Sequence, residues 1–296
     1  MQDVKEFSKL YSIPIPYEPE WEYYLFVLAQ HESYRHLPKL VEAYKDLERY
    51  VQSRDLTVAQ YKKMVLEHMV NFIKSTIAYQ NVNEVQLVSY PISKKWNLLS
   101  GYYTNIDMVE ANYQILKLYA PAGSLFRQCE SWAELLMQPD WLDIHPALAL
   151  SKSFRQIIFG HCNPKRFVRL ARMHMQELSE KMAVQFADYP QVSRSPLMFF
   201  GDQMIMPFIL HSHFPTIKQL TNLNVRIESW YVQQFGSGKY VKYIWADPSS
   251  NMIPNLHGVP KNQFFCAFKK YILKDPIEYR DRLFMQDKRL AMWMNE

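Results

Sequence analysis

Asn105-Ile106-Asp107-Met108-Val109-Glu110-Ala111-Asn112-Tyr113-Gln114-Ile115-Leu116 is the stretch that sets the fold class. Up to Met108 the residues 102–108 read as a strand. From Val109 a helix is expected to run to Tyr119 and to stop before Pro121. An acid, Asp107, therefore stands where a strand hands over to a helix. A carboxylate in that place points into the cleft above the sheet, where it can hold a divalent cation. An Asp at such a junction also serves as a helix N-cap, and the stretch alone leaves both readings open.

Working outward, the N-terminal side is helical. Helices are expected over 20–32, over 37–54 with a stripe of Leu40, Tyr44, Leu47 and Val51, and over 57–79 with Val58, Tyr61, Val65, Met69, Phe72 and Ile73. Thr57 is placed to cap the third. Val85, Leu87 and Tyr90 alternate as in a strand. On the C-terminal side, helices are expected over 131–137, 145–160 and 165–186, with Asn163-Pro164 breaking the last two apart. Residues 197–200 and 204–210 flank Gly201-Asp202-Gln203 as a hairpin. Residues 225–235 and 239–246 flank Gly236-Ser237-Gly238 as another. Helices over 261–273 and 276–292 close the chain. Helices first, then interleaved strands and helices, is an α+β order. The expected division is a helical region over 1–80, then an α+β domain over 81–296 with an antiparallel sheet, packed helices and C-terminal helices.

Composition narrows the function classes. The chain has 296 residues, 48% of them hydrophobic and 21% charged, which excludes a disordered chain. Only 7 are glycine, against about 20 for an average chain of this length, so folds built on glycine-rich phosphate loops are disfavoured. Three scattered cysteines, Cys129, Cys162 and Cys266, make no disulfide framework and point to a reducing compartment. The opening MQDVKEF carries no signal pattern. The longest apolar stretch, 196–210, is interrupted by Asp202 and falls short of the roughly 18 residues a membrane span needs. An intracellular protein, cytoplasmic or nuclear and not secreted, is expected. Its net charge of +5 permits nucleic acid as a partner.

Several motifs fail. Gly238-Lys239 has no glycine five residues before Gly238, so it ends no phosphate loop. His31 and His36 lie five residues apart, about 140° around a helix, and cannot share a metal from one face. His211 and His213 alternate but have no third ligand in view, and no Gly-x-Ser-x-Gly is present.

Two further segments carry a signal. Lys152-Ser153-Phe154-Arg155-Gln156-Ile157-Ile158-Phe159-Gly160, followed by Asn163-Pro164-Lys165-Arg166, places Lys152 and Arg155 on one helical face. Two cations there suit a nucleoside triphosphate, and Phe159-Gly160 would let a base and a backbone approach closely; a solvated basic face is the competing reading. Phe199-Phe200-Gly201-Asp202-Gln203-Met204-Ile205 puts an acid at the tip of an apolar hairpin, and an ordinary turn Asp competes there. On the second hairpin, Lys239 and Lys242 interleave with Tyr240, Tyr243 and Trp245. That pattern fits a grip on a nucleic-acid strand, or a core face.

Together the three segments resemble the palm of template-dependent nucleic-acid polymerases, most nearly the family A DNA polymerases, over about residues 102–210. Asp107, Asn112 and Ile115-Leu116 match the first family motif. Lys152, Arg155 and Phe159-Gly160 match the second, and Asp202 in a hairpin turn matches the third. The resemblance implies a palm-like antiparallel sheet and two-metal phosphoryl transfer onto a primer 3′-hydroxyl. Asp107 and Asp202 would be the catalytic metal ligands for Mg²⁺ or Mn²⁺. Lys152, Arg155, Phe159, Gly160 and Asn112 would bind nucleotide, and Lys165, Arg166, Lys239, Lys242 and Tyr243 nucleic acid. Primer, template and nucleoside triphosphates are the implied partners, with residues 81–99 and the C-terminal helices as small fingers and thumb. Two departures stand out: Gln203 occupies the place of a second acid, and Asn112 one where the family often has an acid. The alternatives are a non-catalytic palm-like nucleic-acid-binding or replication-accessory protein, a palm that needs a partner subunit, and an unrelated α+β interaction protein.

Overall fold

Residues 1–88, 98–138, 144–190, 196, 198–245, 251–287 and 289–293 are described by the computed structural model. The N-terminal helices are α1 (Val4–Tyr11), α2 (Trp21–Ala29), α3 (Leu37–Gln52), α4 (Val58–Ser75) and α5 (Ile77–Glu84). The stripe on α3 is buried as its spacing requires, at Leu40, Tyr44, Leu47 and Val51. Thr57 and Gln60 form a reciprocal capping box at the start of α4. Three local expectations fail. Helix α1, capped by the Asp3 carboxylate, was not anticipated. The helix expected over 57–79 breaks at Thr76, whose backbone is extended and whose hydroxyl caps α5. Val85 then ends α5, so residues 85–88 form no strand, and Tyr90 lies outside the described residues.

The rest of the chain alternates. Strand β1 (Gly101–Met108) leads to α6 (Ala111–Tyr119), α7 (Leu125–Gln128), α8 (Trp132–Leu136), α9 (Pro146–Ala149), α10 (Lys152–Gly160) and α11 (Pro164–Gln185). The hairpin β2 (Met198–Phe199) and β3 (Gln203–Pro207) follows, then α12 (Phe214–Gln219), β4 (Val225–Gly236), β5 (Lys239–Trp245), β6 (Ile253–His257), α13 (Phe264–Ala267), β7 (Leu283–Gln286) and β8 (Arg289–Met292). The fold is α+β, and the helical region precedes the sheet. The helix expected over 145–160 is two, because buried Ser151 caps a fresh start at Lys152.

Six strands pair antiparallel in the order β2-β3-β1-β4-β5-β6. The first four follow the β-α-β-β-α-β plan of ferredoxin-like domains. That plan sets the end of β1 beside the β2–β3 turn. Residues opposite one another in an antiparallel pair share a face. Ile106, Met204 and Ile227 form one such row and face the helices. The core they join runs from Phe7 to Phe268 and continues across residue 80. The other face carries Asp107 with Gln203 and Arg226, then Asn105 with Ile205 and Glu228. Farther along it a smaller buried cluster joins Leu98, Tyr103, Met198, Ile205, Trp230, Val232 and Tyr240.

The helix expected over 276–292 is replaced by the β7–β8 hairpin. Leu283 and Phe284 are buried there, Phe284 stacks on Trp293 at 5.2 Å, and Met285 donates from its backbone to Pro16 O at 3.1 Å. These contacts, the one with Pro16 from the far end of the chain among them, outweigh local helix propensity. Among the described residues no helix is long and apolar enough to cross a membrane.

Candidate active site

Asp107 is the penultimate residue of β1 and lies opposite Gln203, the first residue of β3. The Met108 N–H donates to Asp202 O at 2.8 Å, which locks the hairpin tip against the end of β1. The tip has a two-residue loop, Gly201-Asp202, closed by the Phe200 N–H donating to Gln203 O at 2.8 Å. Gly201 has φ +80° and the Asp202 N–H donates back to Phe200 O at 3.1 Å, the pattern of a tight γ-turn centred on Gly201. A Cβ on Gly201 would also meet Val168 Cγ1 of α11 at 3.2 Å. Gly201→Ala is therefore expected to cost about 1–2 kcal/mol, read as a lower denaturant midpoint at unchanged slope.

Both carboxyls are held above the usual carboxylate range. For Asp107 burial is the main cause; Arg226 opposes it, the Asp202 charge adds to it, and Lys152 opposes it. For Asp202 burial again leads, opposed by its own backbone N–H and by Lys152. Lys152, exposed at the start of α10, thus acts on both acids. Its place is fixed from the N-terminal region. Ser151 accepts from the Phe154 N–H at 2.9 Å and donates to Leu10 O of α1. Tyr11 Oη donates to Ala147 O at 3.1 Å, and the His145 N–H donates to Tyr61 Oη at 2.8 Å.

The other sequence candidates scatter. Arg155 pairs with Glu110, whose second oxygen accepts the Trp132 N–H at 2.8 Å. Glu110 has φ +52°, so this pair braces a left-handed turn between β1 and α6. Phe159 is 1% exposed and packs on Trp132 at 5.2 Å and Phe167 at 5.5 Å. Its ring belongs to the core and offers no face to a base, a correction to the stacking expectation. Gly160 is exposed, with open space where a Cβ would stand. Asn112 is half-buried in the first turn of α6. Lys165 is exposed, whereas Arg166 donates to Val82 O at 2.9 Å and to Val85 O, tying α11 to the end of α5. Lys239 donates to Gln263 Oε1 at 3.0 Å. Tyr243 lies on the helix-bearing side of the sheet, opposite Tyr231.

Lys242 is on the sheet face of Asp107, opposite Val232. Its ammonium sits 3.7 Å from the Trp230 ring centroid, a cation–π contact. Burial holds its pKa below the usual lysine value, and the charges of Glu228 and Asp107 oppose that shift.

Two residues escaped the sequence reading. Arg226 Nη2 lies 2.7 Å from Asp107 Oδ2, and Arg226 Nε lies 3.2 Å from Glu228 Oε1. Their signal was the run Val225-Arg226-Ile227-Glu228, in which charges alternate with core residues. Which strand they would face was not local information.

No group of three or more His, Cys, Asp or Glu side chains able to hold a metal occurs among the described residues. His211 and His213 sit in a short 3₁₀ turn and contact Phe214 and Phe186 through their rings. Mg²⁺ commonly takes one or two protein carboxylates and completes its shell with substrate phosphates and water. Two half-buried carboxylates, Asp107 at the end of β1 and Asp202 in the β2–β3 loop, match the number that such an ion takes from protein, and do not make a preformed all-protein cage. No family model matches the chain, and neither a curated protein nor a solved structure matches it significantly.

Proposed function

We propose that the chain is a palm-type nucleotidyltransferase that extends a nucleic-acid primer from nucleoside triphosphates. The observation that carries this reading is that Asp107 and Asp202, distant in sequence, are brought to neighbouring positions by the Met108 N–H to Asp202 O bond, with the charge of Lys152 acting on both. Asp107 and Asp202 would hold the divalent ions. Bound there, Mg²⁺ or Mn²⁺ supplies activation of the primer hydroxyl and neutralisation of the phosphates. Lys152 would draw the triphosphate towards the acids, and the exposed backbone at Gly160 leaves room beside the same helix. Lys242 shares the sheet face of Asp107, where its charge would favour an approaching phosphate backbone. The three cysteines are unpaired in the structure, in keeping with an intracellular setting.

Incorporation of labelled nucleotide on DNA and RNA primer–templates, with Mg²⁺ or Mn²⁺, tests the proposal. Metal-dependent extension is the expected result; intact nucleic-acid binding without extension by the full chain, alone or with a partner subunit, would overturn it. Lys152→Ala is expected to lower kcat/KM for nucleotide about 10- to 100-fold. One charge-assisted contact is worth about 1.5–3 kcal/mol, and each 1.36 kcal/mol is about tenfold in rate.

A second reading has two ion pairs in its favour. Arg226 already sits on Asp107, and Arg155 is committed to Glu110. A non-catalytic palm-like nucleic-acid-binding or accessory protein would tolerate both pairs. It would also bind nucleic acid unchanged when Asp107 or Asp202 becomes Asn.

A further inference from the structure

We propose that Arg226 is a resident counter-ion of Asp107, one that competes with the divalent metal for this carboxylate and is retained by Glu228 when the metal binds. The inference rests on the metal-centre reading above and adds to it a residue that sets metal affinity. Arg226 stands directly across the β1–β4 pair from Asp107, on the same face. Glu228 follows two residues later on β4 and therefore points to that face as well.

The geometry divides one guanidinium between two acids. Nη2 reaches Asp107 Oδ2 at 2.7 Å, while Nε reaches Glu228 Oε1 at 3.2 Å. Guanidinium donors are arranged as a fork, so the Glu228 contact can persist while the Nη end turns away. Exposure sets which partner moves. The Arg226 side chain is 57% exposed, against 22% for Asp107 and 14% for Glu228. Glu228 is further anchored, since its Oε2 accepts the Trp230 indole N–H at 3.1 Å. The arginine is thus the mobile member between two fixed carboxylates.

A cation at hydrogen-bond distance on Oδ2 repels an arriving metal ion and takes up part of that oxygen's accepting capacity, so the two compete for it. It also offsets the repulsion between Asp107 and Asp202 while no metal is bound. Glu228 then acts as the holding position. Removing it leaves Asp107 as the one acid paired with Arg226 and strengthens the competition.

Mn²⁺ titration of the full chain, with free Mn²⁺ followed by electron paramagnetic resonance, tests this without reference to activity. Thermal melts of each variant establish that it is folded. Arg226→Gln is expected to bind Mn²⁺ about tenfold tighter than wild type, and Glu228→Gln several-fold weaker. The double variant should match Arg226→Gln, because Glu228 acts only through the arginine. Unchanged or weaker binding in Arg226→Gln, with binding abolished in Asp202→Asn, would overturn the counter-ion role and leave the metal centre standing. Equal weakening by Glu228→Gln with and without Arg226 would overturn the holding role. Absence of Mn²⁺ binding in wild type and in Arg226→Gln alike would overturn the metal centre itself, and the counter-ion with it.

Discussion

Under the nucleotidyltransferase proposal, Asp107→Asn and Asp202→Asn are each expected to lower metal-dependent nucleotide incorporation by about a thousandfold or more. Stabilisation of transition-state charge by a bound metal is worth several kcal/mol, and about 4 kcal/mol corresponds to about a thousandfold at 1.36 kcal/mol per tenfold. The substitutions keep size and shape, so the fold should survive. Burial raises both carboxyls in the folded chain. A group raised in this way contributes stability that is full below its unfolded value of about 3.9 and lost as pH rises through its folded value. At pH 7 the ionised pair therefore opposes folding, and Asn in either place should leave the melting temperature unchanged or higher. Single-turnover incorporation together with thermal melts in chelator checks both halves. Activity that survives in either variant would remove that aspartate from the metal centre.

Phe159→Ala should instead act on stability, at a cost of about 3–5 kcal/mol, the usual range for emptying a buried aromatic site. Phe159 lies between Trp132 on α8 and Phe167 on α11, and its removal opens a cavity where three helices meet. Denaturant unfolding monitored by circular dichroism measures this directly. If the ring served a nucleotide base, the substitution would raise KM for nucleotide while leaving the unfolding midpoint in place, and that outcome would contradict its core position. Phe159→Leu, which keeps most of the volume, should recover much of the lost stability.

The two variants mark a boundary in what the chain shows on its face. Asp107 was legible because a strand ending in an acid before a helix is a local pattern, and the structure places it at the end of β1. Asp202 was legible because Gly201 supplies the positive φ that a two-residue hairpin loop needs. The helix faces on α3 and α4 were legible for the same reason, since period and capping are written within a few residues. Residues 276–292 were misread because their hairpin is held by contacts outside the segment, a backbone bond to Pro16 and the stacking of Phe284 on Trp293.

Phe159 and Arg155 show the limit most clearly. On a helix they sit four residues apart, and the sequence offers both to a ligand. The fold turns Phe159 into the core and gives Arg155 to Glu110 across the β1–α6 turn. Arg226 and Glu228 reverse the case: they read as ordinary strand polars until β4 pairs with β1 and sets Arg226 opposite Asp107.

The sequence by itself determined the α+β class, the strand-to-helix junction at Asp107 and the acidic hairpin tip at Asp202, because each depends on neighbours along the chain. Tertiary structure alone decided that the two acids come to neighbouring positions, that the charge of Lys152 acts on both and that Arg226 pairs with one. Those relations depend on strand order and register, which follow from burying the helix-facing rows of the sheet in a single core.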